Sequence, residues 1–374
     1  MKKFFIAFIL FIGIRIIKAD MLYPKIEIDS IRSQSGMSTI STDAGIIVLN
    51  KDIDSKNRNT EKSYSIATQV NYEGLTKQKN ILSSKEFCND DYLFVGGAET
   101  ETGFIVITHQ YVEQSGYFVV SVLDHEFNKI STINLIGKAI LDSVFNENGV
   151  LLVGSIYNDE FIFPYAVFVN NAGEIEWEIK DTENIDSRFS LCDKTEYGFQ
   201  VIQEKNIPVK TQSRYECINL DKEGYELTRF QLEENIDSDA SKEKNEMKIL
   251  NFCSTSNGIY IIVGLKKNEK PCGMKILCYK NEGGVLWEIE NNEYYPIYDL
   301  IAVSNNDMVF VAKNLKDTGY YCYVLCDLQG EGVEYRNQKT TTWFNSASLF
   351  KNSRNELWFF GSEYRGKCFI NRIE

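Results

Sequence analysis

The sequence predicts an all-β fold: a seven-bladed β-propeller of four-stranded antiparallel blades, with the ring closed by an N-terminal strand that completes the last blade. Three observations predict it. An Asp or Asn followed three residues later by a turn residue recurs as Asn71–Gly74, Asp124–Phe127, Asn170–Gly173, Asp221–Gly224, Asn281–Gly284, Asp327–Gly330 and Asn371–Glu374, at steps of 53, 46, 51, 60, 46 and 44. A second turn series interleaves with it at Gly45, Gly103, Gly149, Gly198, Gly258, Asp307 and Glu356. A short apolar run follows each member of the second series, as in Val150-Leu151-Leu152-Val153 and Ile259-Tyr260-Ile261-Ile262-Val263. A fixed period of about 50 residues with short strands between turns belongs to propeller arrays. Near-continuous apolar strands suit sheets covered on both faces.

Residues 1–19 form a separate segment. Lys2 and Lys3 precede an apolar run, Phe4 to Ile14, that is too short to span a bilayer, and Ala19 offers a small residue at a cleavage point. We expect a signal peptide over 1–19 and a single propeller domain over 20–374, secreted or held in the periplasm or at the cell surface. Each unit then reads as four strands. Unit three shows them as Ile140–Phe145, Val150–Gly154, Tyr165–Val169 and Glu174–Ile179, separated by Asn146–Gly149, a polar loop and Asn170–Gly173. The side chain of the leading Asn or Asp caps the turn, and Gly accepts the backbone that follows. Lys51–Ser63 and Leu232–Met247 are charged insertions without apolar periodicity. The last unit runs out after three strands. The alternating stretch Leu22–Asp29 has no unit of its own and supplies the fourth, since an open edge there is a pairing hazard.

The net charge of −13 becomes four units more negative once Lys2, Lys3, Arg15 and Lys18 are removed. That argues against nucleic acid, which needs clustered Lys and Arg. Nine Cys in an exported chain invite a disulfide reading, yet Cys217, Cys278, Cys322 and Cys326 occupy interior strand positions. Cys322 and Cys326 lie about 13 Å apart along one strand and cannot bridge each other. No Asn-x-Ser/Thr acceptor site occurs.

At Gly173-Glu174-Ile175-Glu176-Trp177 and Gly283-Gly284-Val285-Leu286-Trp287 the chain resembles the repeat of quinoprotein-like (PQQ-repeat) β-propellers. The resemblance implies that each turn glycine is followed four residues later by a Trp docked between blades, which gives Gly173, Trp177, Gly283 and Trp287 structural roles. That family's dehydrogenases hold their quinone against a vicinal Cys pair and a calcium ion. No Cys-Cys pair occurs here, so the likeness is to the exported members that act as assembly or binding scaffolds, without a cofactor.

Catalytic and metal sites find little support. His109 and His125 are the two histidines, one ending a second strand and the other in a third-to-fourth strand turn, on opposite rims. Ser41-Thr42-Asp43-Ala44-Gly45 matches the first half of an Asp-box but lacks the second, and reads as an ordinary capped turn. Asp52–Asn57 lacks the Gly hinge and late Glu of a calcium loop. Carboxylates for a carbohydrate-active or ligand-hydrolysing alternative come from Glu113, Asp159, Glu160 and Asp186. The better clue is aromatic: Tyr111, Tyr157, Tyr294, Tyr295, Trp343 and Tyr364 fall near the loops at one mouth of the ring. Residues with an apolar face and a polar tip suit a protein or carbohydrate ligand there.

Overall fold

A computed structural model describes residues 26–32, 37–53, 63–82, 92–112, 115–158, 160–205, 214–232, 245–303, 307–317, 320–339, 344–352, 354–363 and 367–373. Twenty-eight strands form seven four-stranded antiparallel sheets, and no helix occurs among the described residues. Blade one spans Ser38–Leu82, blade two Tyr92–Leu135, blade three Lys138–Lys180, blade four Ser187–Gln231, blade five Asn245–Asn291 and blade six Tyr294–Lys339. Blade seven takes Phe344–Lys351, Leu357–Glu363 and Lys367–Arg372 from the end of the chain. Its fourth strand is Ile26–Arg32, which pairs Ile26 with Ile370 and Ile28 with Cys368. The expected closure is therefore present, over Ile26–Arg32; residues 22–25 of the expected strand lie outside the described residues.

The first strand of every blade packs against the first strands of both neighbours, the seventh against the first included. These strands line the axis. The core is accordingly divided: seven apolar clusters each join two adjacent blades, such as Val309, Val311, Tyr323, Phe359 and Phe369 between blades six and seven. No blade can bury both faces alone, so stability comes from stacking around the ring.

The turn series explain the repeat. Asn170 Oδ1 accepts the N–H groups of Ala172 and Glu174 at 3.0 and 2.9 Å, and Asp221 and Asp327 cap their turns in the same way. In the second series a Cβ on Gly198 would lie 2.3 Å from Leu220 O, and one on Gly45 2.0 Å from Val70 O. The second strand thus starts so close to the third that only glycine fits. Two members of the first series differ from the sequence reading. The blade-five turn starts at Lys280, whose carbonyl accepts from Gly283 N, one residue before Asn281. Asn371 opens no turn; it is buried in its strand, where Nδ2 donates to Tyr323 Oη at 3.3 Å.

The same turns dock the blades. A Cβ on Gly224 of blade four would meet the Trp177 ring of blade three at 2.7 Å, and one on Gly330 of blade six would meet Trp287 of blade five at 2.5 Å. Trp177 Nε1 donates to Lys222 O at 2.8 Å. Ile26, Ser131 and Phe230 press on Gly74, Gly173 and Gly283 in the corresponding places. Trp177 and Trp287 thus each lie against the turn glycine of the next blade. The eight described cysteines are free thiols, seven of them buried.

Candidate functional site

Antiparallel order gives the ring two rims. Tight turns between first and second strands and between third and fourth strands lie on one, here the turn rim. Second-to-third strand loops and the connections between blades lie on the other, the loop rim. Of the aromatics chosen from the sequence, Tyr157, Tyr294 and Tyr295 have described side chains and lie towards the loop rim, on blades three and six. Tyr157 ends the second strand of blade three and is 55% exposed. Tyr294 starts blade six, three blades round the ring, and is 7% exposed; its ring stacks on Tyr335 at 4.5 Å, and Asn337 Nδ2 donates to its hydroxyl. Tyr295 is half-buried, with its hydroxyl 2.8 Å from where a Cβ on Gly264 would be. Tyr111 lies in the strand Gly103–Val112, paired with Gly116. Trp343, Tyr364, Glu113 and Asp159 lie outside the described residues.

Blades two and three and the connection to blade four carry exposed large apolar side chains towards the loop rim and axis. Leu93, Val95 and Leu141 are exposed on the first strands of blades two and three, with Tyr157, Phe161 and Ile185 exposed on the loops beside them. Val95 and Leu141 sit where the first-to-second strand register slips by one residue. Such a bulge re-aims a side chain, and here it turns these two out of the packed interface. Glu160 and Glu183 are exposed on the same loops, and Asp186 is half-buried at φ 53°.

Two further depressions lie on the turn rim, opposite the mouth that the sequence favoured. A groove of about 800 Å³ runs between blades three and four, lined by Asn146, Asn148, Asn170, Asn171, Glu176, Trp177, Lys222 and Tyr225. A smaller one of about 420 Å³ lies between blades seven and one, over Tyr72 and Trp358, whose rings are 4.8 Å apart. In it Asn352 Nδ2 donates to Glu356 at 2.7 Å and Arg372 pairs with Glu356 at 2.8 Å. That hydrogen bond first, and the guanidinium after it, hold the Glu356 carboxyl below its usual range.

His109 stacks flat on Phe118 at 4.3 Å, and burial pushes its pKa down. His125 lies across the blade, in the Asp124–Asn128 turn against Phe104. Among the described residues no group of three or more His, Cys, Asp or Glu side chains is placed to hold a metal ion.

Asp193 is the carboxylate most shifted in the described chain. It lies on the first strand of blade four, and its Oδ2 accepts Ser254 N of blade five at 2.6 Å. Burial raises its pKa to about 6, partly offset by the N–H groups of Ser254 and Lys194. Asp142 makes the equivalent link from blade three to Cys192 N of blade four at 2.8 Å. Both are clamps between innermost strands, a role that perturbs a carboxyl as effectively as catalysis does. The folded chain favours protonated Asp193, so this group's contribution to stability is complete below about pH 4 and is lost as pH rises through about 6. Because Asp193 is partly exposed, the loss is about 1–2 kcal/mol. In thermal melts of wild type and Asp193→Asn, the variant's Tm relative to wild type should rise between about pH 4 and about pH 7; parallel pH profiles would contradict this account.

No protein-family profile matches the chain, and no curated protein matches it. Solved structures match its fold. The propeller domain of the Trilobed protease from Pyrococcus furiosus superposes with a TM-score of 0.53 at 10% identity, over 92% of this chain and 95% of that one. The fold is a seven-bladed β-propeller. That archaeal domain is described as having an open velcro topology, whereas here the first and last strands pair within one blade. BBS1N, solved in complex with ARL6DN, gives 0.52 at 8% identity over 95% and 98% of the two chains. Prolyl oligopeptidase B from Galerina marginata gives 0.52 at 13% identity over 90% of this chain, which spans 48% of that enzyme's length. At these identities the likeness shows the fold alone.

Of the residues now in view, Asn146, Asn148 and Asn170 were read from the sequence only as turn formers. Tyr197 and Tyr225 carried a signal: each is a large aromatic in a tight turn, where small polar residues are the rule.

Proposed function

We propose that this chain is an exported binding or assembly scaffold that holds a protein partner on its loop rim. The observation that carries the reading is the exposed apolar surface of Leu93, Val95, Leu141, Tyr157, Phe161 and Ile185. Large apolar side chains left exposed on neighbouring elements of one rim suit an interaction surface, and Tyr with Leu and Ile is suitable chemistry for the centre of one. Glu160 and Glu183 at its edge favour a partner segment that is apolar with flanking Lys or Arg. Export rests on the basic and apolar character of residues 1–19. Kinship with quinoprotein-like propellers is supported by Trp177 and Trp287 seated on Gly224 and Gly330.

The mature protein, recovered from the exported fraction with Asp20 at its start, should retain one protein partner at fixed stoichiometry. Tyr157→Ser combined with Ile185→Ser should abolish retention and leave the melting temperature unchanged, since both side chains are at least half exposed. Retention that survives the double change, or an exported fraction with no such partner, would falsify the reading.

A further inference from the structure

We propose that the groove between blades three and four on the turn rim is a binding site for a neutral oligosaccharide. It lies on the opposite rim from the protein-docking surface and does not depend on it.

The walls come from two blades. Asn146 and Asn148 belong to one turn of blade three, Asn170 and Asn171 to the other, and Glu176 with Trp177 to its outermost strand. Lys222 and Tyr225 face them from the blade-four turn. A volume of about 800 Å³ falls within the range of small-molecule sites. The indole is fixed before any ligand arrives. Its N–H donates to Lys222 O at 2.8 Å, Phe168 stacks beneath it at 5.7 Å, and Gly224 presses on its other side. Tyr225 is 72% exposed, and Tyr197, on the adjoining blade-four turn next to the Gly198–Asp221 pair, is 71% exposed. These are the most exposed aromatic rings in the described chain, and no packing accounts for either.

The polar groups select the ligand class. Four amides dominate the lining, and an amide offers donors and an acceptor together. A sugar hydroxyl also donates and accepts, so amides and hydroxyls complement each other without charge. Some of this capacity serves the turns: Asn146 Oδ1 accepts from Asn148 N and Gly149 N, Asn170 Nδ2 donates to Glu176 Oε1, and Asn171 Nδ2 donates to Glu147 O. Asn171 Oδ1 is buried beside the groove and has no hydrogen-bond partner among the described residues. Glu176 and Glu223 in the lining would repel an anionic ligand, and Lys222 in the same lining makes the groove poor for a simple cation. A neutral ligand with apolar C–H faces for Tyr225 and hydroxyls for the amides meets each of these constraints.

The test uses the whole mature chain against an array of neutral, sialylated and sulfated glycans, followed by saturation-transfer NMR with maltotriose, cellotriose and chitotriose. At least one neutral glycan should bind. Tyr225→Ala and Asn148→Asp should each weaken that binding by at least about tenfold, which is about 1.4 kcal/mol. Both side chains are exposed, so melting should not change, and the loop-rim pair Tyr157→Ser and Ile185→Ser should leave sugar binding intact. No neutral glycan bound, binding confined to sialylated or sulfated glycans, or affinity indifferent to both groove variants would each overturn the proposal. A wild-type chain that binds a neutral glycan but retains no protein partner sinks only the docking surface, and one that retains a partner but binds no neutral glycan sinks only the groove.

Discussion

A chain lacking residues up to Arg32 should not melt as a cooperative monomer. The strand Ile26–Arg32 is the fourth of blade seven, and its loss would leave the backbone of Cys368, Phe369 and Ile370 unpaired along a full edge. Ile28 is completely buried in the cluster that joins blades seven and one, beside Val48, Val70, Trp358 and Phe360. Burying that one side chain contributes about 1.5–3 kcal/mol. Ile26 also covers Gly74 of blade one, and Glu27 pairs with Lys367 at 2.7 Å. The exposed pair is worth little. The ladder, the buried Ile and the closed edge together amount to roughly 5 kcal/mol, comparable with the whole stability of many domains. Size-exclusion chromatography should show aggregation, and calorimetry a lost or strongly lowered transition. A synthetic peptide of residues 22–32 should restore part of it by strand addition. A shortened chain that remains monomeric and melts as before would show that the ring holds together without this strand.

Local stereochemistry made the architecture legible. Turn caps, and the glycines that allow positive φ or close approach, act within a few residues and leave their mark in the sequence directly. Gly173 and Gly224, at φ 80° and 85°, were placed correctly for this reason. The Gly283–Gly284 pair misled by one residue because both glycines have positive φ, 102° and 86°, so either could have closed the turn. The site was much less legible. Tyr294 adjoins a loop in the sequence, yet the ring that covers it is Tyr335, on the outer strand of the same blade. The groove draws Asn148, Asn170 and Tyr225 from three turns on two blades. Their convergence depends on how blades three and four are rotated against each other, and the repeat period does not encode that rotation. Asp193 and Ser254 meet for the same reason.

Removing the indole of Trp287 should cost about 2–4 kcal/mol, because a large aromatic side chain is deleted from a site only partly open to water. The ring lies 5.9 Å from Tyr260 and packs on the cluster that includes Met274, Cys278 and Phe310, so it closes the outer end of the wedge between blades five and six. The partner change is Gly330→Ala. Gly330 has φ 76°, so alanine there carries a left-handed strain of about 1–2 kcal/mol whatever its neighbours. Its Cβ would also fall 2.5 Å from the Trp287 ring, which adds about 1–3 kcal/mol of overpacking. The strain belongs to the backbone and survives in any background. The overpacking exists only while the indole is present. Denaturant melts of wild type, the two single variants and the double variant should therefore give a coupling of about 1–3 kcal/mol, the double variant being more stable than the sum of the single losses predicts. Additive losses would mean that the glycine is needed only for its dihedral. The pairing of a turn glycine with the preceding blade's aromatic, on which the repeat is here understood to depend, would then be a coincidence of spacing.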